Sequence, residues 1–297
     1  MKRLFESKYK NINVKVAITG SKGFIGKHLI EKLQLLNIEI IEIDILDGYD
    51  TTNRETLKNL PQFDVLCHLA ARVFVPYSYD FPYDFYNTNV VGTLNMLEVC
   101  RNFNAKMVFM SSYVYGIPQY QPINEIHPLN SFNPYSNTKI IGEQLCWGYH
   151  NDYKLPSIII RPFNTYGFGQ NIDFLIPSII KQAKSGKIFL KDPKPRRDML
   201  YIDDLVDGII QCIFYQKTTH EIFNLGFGKS HSVLEIAQIV SKISNNNIEI
   251  EFSGEARQSE VSDTIADITK ARKILDWEPK TTLEEGLKIL LDQEIKN

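Results

Sequence analysis

A chain of 297 residues is long enough to bury a full core, as one large domain or as two lobes sharing an interface. Its composition is ordinary for a globular protein, 43% hydrophobic and 23% charged, and 33 basic against 35 acidic side chains leave a formal net charge of -2. That balance argues against the strongly basic surface of a nucleic-acid binder, and no apolar run approaches the roughly 20 residues of a membrane span.

Residues 14–19 are a short β-branched run that breaks at Gly20, and helical periodicity follows over 24–36. Strands are expected at 38–44 and 63–70, a helix at 89–102, and further strands at 106–110 and 157–162. Between the last two, 134–150 reads as a long helix with a proline in its first turn. Residues 74–82 and 117–133 carry loop chemistry. Beyond Tyr166 the alternation fades into helices at 203–214, 233–243 and 268–275 and strands at 221–225 and 248–252. The pattern predicts an α/β fold: a Rossmann-type, doubly wound parallel sheet with right-handed crossovers and a smaller mixed C-terminal lobe.

The four cysteines, Cys67, Cys100, Cys146 and Cys212, sit among apolar neighbours without a CxxC pair or a metal-ligand spacing. They read as buried free thiols of a reducing compartment, and no metal is expected. The basic first fifteen residues lack the apolar stretch of a signal peptide, so the expected location is cytoplasmic, without membrane or nucleic-acid partners.

Gly20, Gly23 and Gly26 form a GxxGxxG turn between the first strand and the first helix. Such glycines permit a tight turn, close approach to a pyrophosphate and close helix–strand packing, and the helix N-terminus offers N–H groups to phosphates. Asp44 ends the second strand, where a carboxylate accepts hydrogen bonds from an adenosine ribose and repels a 2′-phosphate, so the expected cofactor is NAD rather than NADP. The plainer alternative is a glycine-rich turn and an ordinary strand-end acid.

Tyr135 and Lys139 stand four apart on the long helix and share a face. A tyrosine's ordinary pKa near 10 is too high for a base at neutral pH, and a nearby ammonium lowers it, so the pair suits a general base and its activator. Ser111 and Ser112 follow the fourth strand at the carboxyl edge of the sheet, where ligands bind in open α/β folds. A hydroxyl there can hold the reacting oxygen, or merely cap the strand. His68 reads as structural, Asp203 and Asp204 as helix-starting acids that lock the lobes, Trp147 and Trp277 as packing, and the aromatic stretch 74–86 as either a lid or an exposed connection.

Seven motifs occur in one order: TGSKGFIG, HLAA, NVVGT, SSYVYG, PYSNTK, RPFNTYG and RDMLYIDD. Together they resemble the extended short-chain dehydrogenase/reductase family in its NAD-dependent nucleotide-sugar epimerase/dehydratase branch, over nearly the whole chain. The resemblance implies that Gly20, Gly23, Phe24, Ile25 and Gly26 hold the pyrophosphate, Asp44 the ribose and Asp50 the adenine side, while Leu69, Ala70 and Ala71 line the cofactor and Asn89 lies beneath the site. It makes Ser111, Tyr135 and Lys139 the catalytic triad, with Tyr135 and Lys139 also cofactor contacts, Lys139 at the nicotinamide ribose, and Ser112 the fallback serine and a substrate contact. Asn164, Arg197, Tyr201 and Arg257 would bind the nucleotide-diphosphate sugar. The implied division is a nucleotide-binding domain of residues 1–165, with 201–226 returning to it, and a substrate lobe of 166–200 and 227–297. A homodimer through two helices per subunit is implied as well.

Three outcomes share one chemistry, removal of a hydroxyl proton with hydride passing to NAD. They are epimerisation, dehydration, or reduction of a keto-sugar made elsewhere. The family's 4,6-dehydratases carry an Asp-Glu pair where this chain has Ser112 and Tyr113, and its GDP-fucose synthases place a cysteine at the Tyr113 position. An NAD-dependent epimerase of the UDP-glucose 4-epimerase type is therefore expected. The short Asp44–Asp50 stretch keeps open an NAD(P)H-dependent 4-keto-6-deoxy-sugar reductase. A non-catalytic NAD-binding regulator is the third possibility, which retention of Tyr135 and Lys139 disfavours.

Overall fold

A computed structural model describes residues 9, 12–216, 219–244, 248–255 and 261–296. Its centre is a six-stranded, wholly parallel sheet built from β1 (Lys15–Thr19), β2 (Glu39–Ile43), β3 (Val65–His68), β4 (Lys106–Met110), β5 (Ser157–Pro162) and β9 (His220–Leu225). The strands lie in the order β2-β1-β3-β4-β5-β9. Parallel sheets are covered on both faces, so their strands read as continuous apolar runs. In β1 the alternation shows directly. Val16 and Ile18 enter the core on one face, and Ala17 enters the core on the other.

Helices α1 (Phe24–Leu35) and α7 (Ile202–Phe214) pack together on the first face, and α4 (Gly92–Phe103) and α5 (Pro134–Tyr153) on the second. The chain leaves β1 for β2 on one side and returns as β3 on the other. That reversal opens a crevice at the carboxyl ends of β1 and β3, the usual ligand position in such sheets.

The stretch 74–86 departs from the loop expected over 74–82. It folds into α2 (Val75–Asp80) and α3 (Pro82–Tyr86), which lead through a π-helical turn (Asn87–Val91) into α4. The prolines that suggested breaks stand in the first turns of α2 and α3, where a missing N–H costs nothing. The C-terminal lobe holds a three-stranded sheet of β6 (Asn164–Tyr166), β8 (Arg196–Tyr201) and β10 (Ser230–Ser232), and a parallel pair of β7 (Lys187–Leu190) and β11 (Glu249–Phe252). Its helices are α6 (Leu175–Ala183), α8 (Val233–Ile243), α9 (Thr269–Leu275) and α10 (Leu283–Lys296).

One apolar cluster joins Val16 and Leu29 of the sheet region to Ile176 and Leu287 of this lobe. Of two buried acids, Asp198 fastens this lobe internally and Asp204 ties it to the helix α7 on the sheet. Asp198 accepts from the backbone N–H groups of Phe227 (2.6 Å), Gly228 (2.8 Å) and Ala266 (3.0 Å), and Asp204 from that of Thr281 (2.8 Å). Trp277 is buried and donates to the Asp204 carbonyl, whereas Trp147, expected to pack, is 53% exposed.

Candidate active site

The turn after β1 carries the nucleotide end of the crevice. Gly20 has φ +67°, and a Cβ there would lie 2.9 Å from the Ala70 nitrogen. A Cβ on Gly26 would lie 2.3 Å from the Gly20 carbonyl, so the turn folds back on its own helix only because both are glycine. No side chain caps α1 and no acid stands in its first turn, which leaves its N–H groups and positive dipole end to an outside anion. The buried Ser21 hydroxyl in the same turn has no hydrogen-bond partner among the described residues. These features fit a dinucleotide pyrophosphate. Phe24 and Ile25 are half-buried and lean on the sheet core, and Gly23 stands at the helix start.

Asp44 is buried, and its carboxylate accepts from the N–H groups of Lys22 and Leu46, each at 3.0 Å. It thus fastens the end of β2 to the glycine turn. Ile45 and Leu46 beside it are exposed apolar residues, which motif reading passed over. Asp50 closes an Asx turn, accepting from the Thr52 N–H (2.9 Å) and hydroxyl (2.8 Å). Leu69, Ala70 and Ala71 follow β3 and are half-buried at the crevice edge. Thr19 holds this segment, accepting from the N–H groups of Leu69 (3.1 Å) and Ala70 (3.2 Å).

With its acceptor side so used, the Thr19 hydroxyl donates to His68 Nδ1 (2.7 Å). His68 Nε2–H then donates to the Thr93 hydroxyl (3.1 Å), which donates to the Asn89 carbonyl (2.6 Å). Burial and the charge of Lys139 hold His68 down to about 3, so it is a neutral structural link. Asn89 spends its amide on the backbone of Arg72 (2.8 and 3.0 Å) and on the Thr138 hydroxyl (2.9 Å). It therefore pins the crevice loop to α5.

Helix α5 starts at an Asn133 cap that accepts from the Ser136 N–H at 2.8 Å, which aims its first turn at the end of β4. Tyr135 is half-buried, with the Phe85 ring edge-on at 6.4 Å. Burial pushes its phenol above the ordinary value, and a hydrogen bond from Ser112 works the other way. Ser111, expected to meet Tyr135, does not. Its hydroxyl is buried and donates to Glu143, and Ser112 is the serine that pulls the phenol down. The cause is strand geometry: the Ser111 N–H still pairs with Ile160 (2.8 Å), so adjacent side chains point to opposite sides.

Lys139 also differs from expectation. Its buried ammonium donates to the Met110 carbonyl at 2.8 Å and lies 5.1 Å from the centre of the Phe109 ring. A buried ammonium needs an acceptor, and the last carbonyl of β4 supplies it. Burial pulls it down to about 8 against the charge of Glu143. Beneath it, Glu143 takes two bonds from Arg161 (2.9 and 2.6 Å), and Arg161 also reaches the Tyr115 hydroxyl (3.1 Å) and the Glu125 carbonyl (3.0 Å). Sequence reading missed this network. Its only signal was the i, i+4, i+8 spacing of Tyr135, Lys139 and Glu143.

At the substrate end, Asn164 is exposed at the start of β6. Arg197 Nη1 donates to the carbonyls of Arg196 and Val261, each at 2.7 Å, and its charge falls on Tyr113. Tyr201, expected near the sugar, is instead 3% exposed. Its ring meets Tyr166 edge-on at 5.5 Å and packs beside Gly286 of α10. It ends a strand whose last four residues are all buried, so its ring belongs to the core. Arg257 lies outside the described residues.

The family described as GDP-mannose 4,6 dehydratase matches residues 34–290. A putative UDP-glucose 4-epimerase of Methanocaldococcus jannaschii is 32% identical over 307 residues, covering 92% of this chain and 96% of that one. UDP-glucuronic acid decarboxylase 3 of Arabidopsis thaliana is 31% identical, covering 97% and 91%. The UDP-glucose 4-epimerase of Thermotoga maritima, solved with UDP-glucose, superposes with a TM-score of 0.89 at 26% identity, covering 95% and 99%. A neighbour of TM-score 0.85 at 25% identity was solved with UDP-glucuronic acid and NAD.

Proposed function

Since the chain belongs to the extended short-chain dehydrogenases/reductases that act on nucleotide sugars with NAD, we propose that it inverts a hydroxyl-bearing carbon of a nucleotide-diphosphate sugar through a transient keto-sugar, in the manner of a UDP-glucose 4-epimerase. The observation that carries this reading is the half-buried Tyr135 in the first turn of α5, one turn before Lys139, whose ammonium rests on the last carbonyl of β4, on the side of the sheet where the uncapped glycine turn opens.

Bound NAD supplies a hydride acceptor that becomes the donor in the return step. Around it, the uncapped turn of α1 takes the pyrophosphate and Asp44 the adenosine ribose. Tyr135 removes the hydroxyl proton of the sugar and returns it. Ser112 hydrogen-bonds the phenolate and orients the reacting oxygen. Lys139 contributes a fixed positive field from its seat on Met110. Asn89 keeps the crevice loop in register with α5. Asn164 and Arg197 reach the nucleotide sugar.

Dehydration asks for a second acid and base behind the serine. Here Tyr113 donates its hydroxyl to the Gly116 carbonyl (2.7 Å) and burial pushes its phenol up, so it serves as neither. Free buried thiols fit a cytoplasmic enzyme, and no helix among the described residues is long and apolar enough to cross a membrane. A homodimer would use α4 and α5, whose outer faces expose Leu94 and Trp147.

The test incubates the protein with UDP-, dTDP-, GDP- and CDP-sugars, including UDP-glucuronic acid, with and without NADH or NADPH. An isomerised product without net cofactor use is expected, together with loss of turnover and retention of NAD binding in Tyr135→Phe. Net consumption of reduced cofactor marks a reductase, release of carbon dioxide a decarboxylase, and full activity in Tyr135→Phe removes the proposed base.

A further inference from the structure

Glu143 has no place in the chemistry above, yet it is buried, charged and one helical turn from Lys139. Three successive residues on one face of α5 each meet the end of β4. Tyr135 meets Ser112, Lys139 meets the Met110 carbonyl, and Glu143 meets the Ser111 hydroxyl. Only the last contact is anchored from behind. Arg161 on β5 grips both Glu143 oxygens (2.9 and 2.6 Å) and is itself fixed to Tyr115 and the Glu125 carbonyl. Tyr115 in turn donates to Asn224 on β9.

We propose that Glu143 is a positioning residue of this site, whose Arg161-clamped carboxylate fixes the Met110–Ser112 segment and stands as the counter-charge one helical turn from the Lys139 ammonium. The proposal rests on the reading of Tyr135 and Lys139 as the working pair. It explains why an ion pair lies buried at the back of the crevice, where an apolar pair of similar volume is often as stable.

The groups facing Lys139 are few. Its own helix contributes Glu143 and Cys146, β3 contributes neutral His68, and β4 contributes the Phe109 ring and the Met110 carbonyl. Arg161 of β5 acts only behind Glu143. Among the described residues, Glu143 is the carboxylate that opposes the effect of burial on Lys139. An opposite charge at such range favours the charged form of its neighbour by one or more pH units. Without it, a buried amine tends to lose its proton near neutral pH.

The experiment titrates the full chain labelled with lysine carrying ¹³C at Cε, the Lys139 resonance being the one absent from Lys139→Arg. Glu143→Gln should lower the Lys139 midpoint by about one pH unit or more, while Glu143→Asp, which keeps the charge, stays near the parent value. A merely structural Glu143 would lower the melting temperature of both variants and leave the midpoint in place, and that result overturns the proposal. If Glu143→Gln does not fold, the double variant Glu143→Gln/Arg161→Met removes the carboxylate with its own counter-ion and should lower the Lys139 midpoint in the same direction by less, an unmoved midpoint again overturning the proposal. The titration needs neither cofactor nor sugar. A protein that shows the shift but processes no nucleotide sugar would refute the proposed function and leave this inference standing.

Discussion

Replacing the two serines after β4 one at a time separates their roles. Ser112 is the serine that pulls the Tyr135 phenol down, whereas the Ser111 hydroxyl is committed to Glu143. In the reaction the phenol becomes a phenolate, so Ser112→Ala removes a hydrogen bond to a charged group, worth about 1.5–3 kcal/mol. At about 1.36 kcal/mol per factor of ten, kcat should fall about 10-fold to about 150-fold, with the melting temperature nearly unchanged. Ser111→Ala removes one donor from a carboxylate that keeps both Arg161 bonds, at 2.9 and 2.6 Å. The loss there is about 1–2 kcal/mol of stability, a fall of about 2–4 °C for each, with kcat within a few-fold of the parent. Initial rates of sugar isomerisation and thermal melts on the two variants make the comparison. If Ser111→Ala loses kcat as Ser112→Ala should, while Ser112→Ala stays near the parent, the assignment is reversed and the alternation argument at the end of β4 fails.

Two further outcomes follow from the buried acids. Asp44→Ala should weaken NAD binding and narrow the preference over NADP, because the carboxylate that would repel a 2′-phosphate is gone and its bonds to Lys22 and Leu46 are lost. Calorimetric titration with both cofactors checks this, and an unaltered NAD/NADP ratio removes Asp44 from the ribose. Asp198 is raised by burial to about 6 from an unperturbed 3.8, against the pull of its backbone donors. A raised folded value means that its contribution is fully present below the unfolded value and is lost as pH climbs through the folded one, about 3 kcal/mol across pH 4 to 6. Urea midpoints of the parent, relative to Asp198→Asn, should therefore decline over that window. A flat difference would mean that Asp198 titrates normally in the fold.

Much of this protein was legible before any coordinates. The strands at Lys106–Met110 and Ser157–Pro162 and the helix at Val233–Ile243 stand where periodicity placed them, and the glycine turn and Asp44 fall at the β1 and β2 ends that their spacing required. These features are local: each follows from a run of side chains that must be buried on one face or from a turn that only glycine can make. Other features depended on packing. The prolines of the 74–86 stretch looked like breaks until neighbouring elements stabilised two short helices around them. Tyr201 read as a ligand contact until β6 and α10 closed over it. Which serine meets Tyr135, where the Lys139 ammonium rests, and the Glu143–Arg161 pair behind both are set by strand register and by the need of buried charges for partners. Register and burial are properties of elements brought together from distant parts of the chain, so only the tertiary structure decides them.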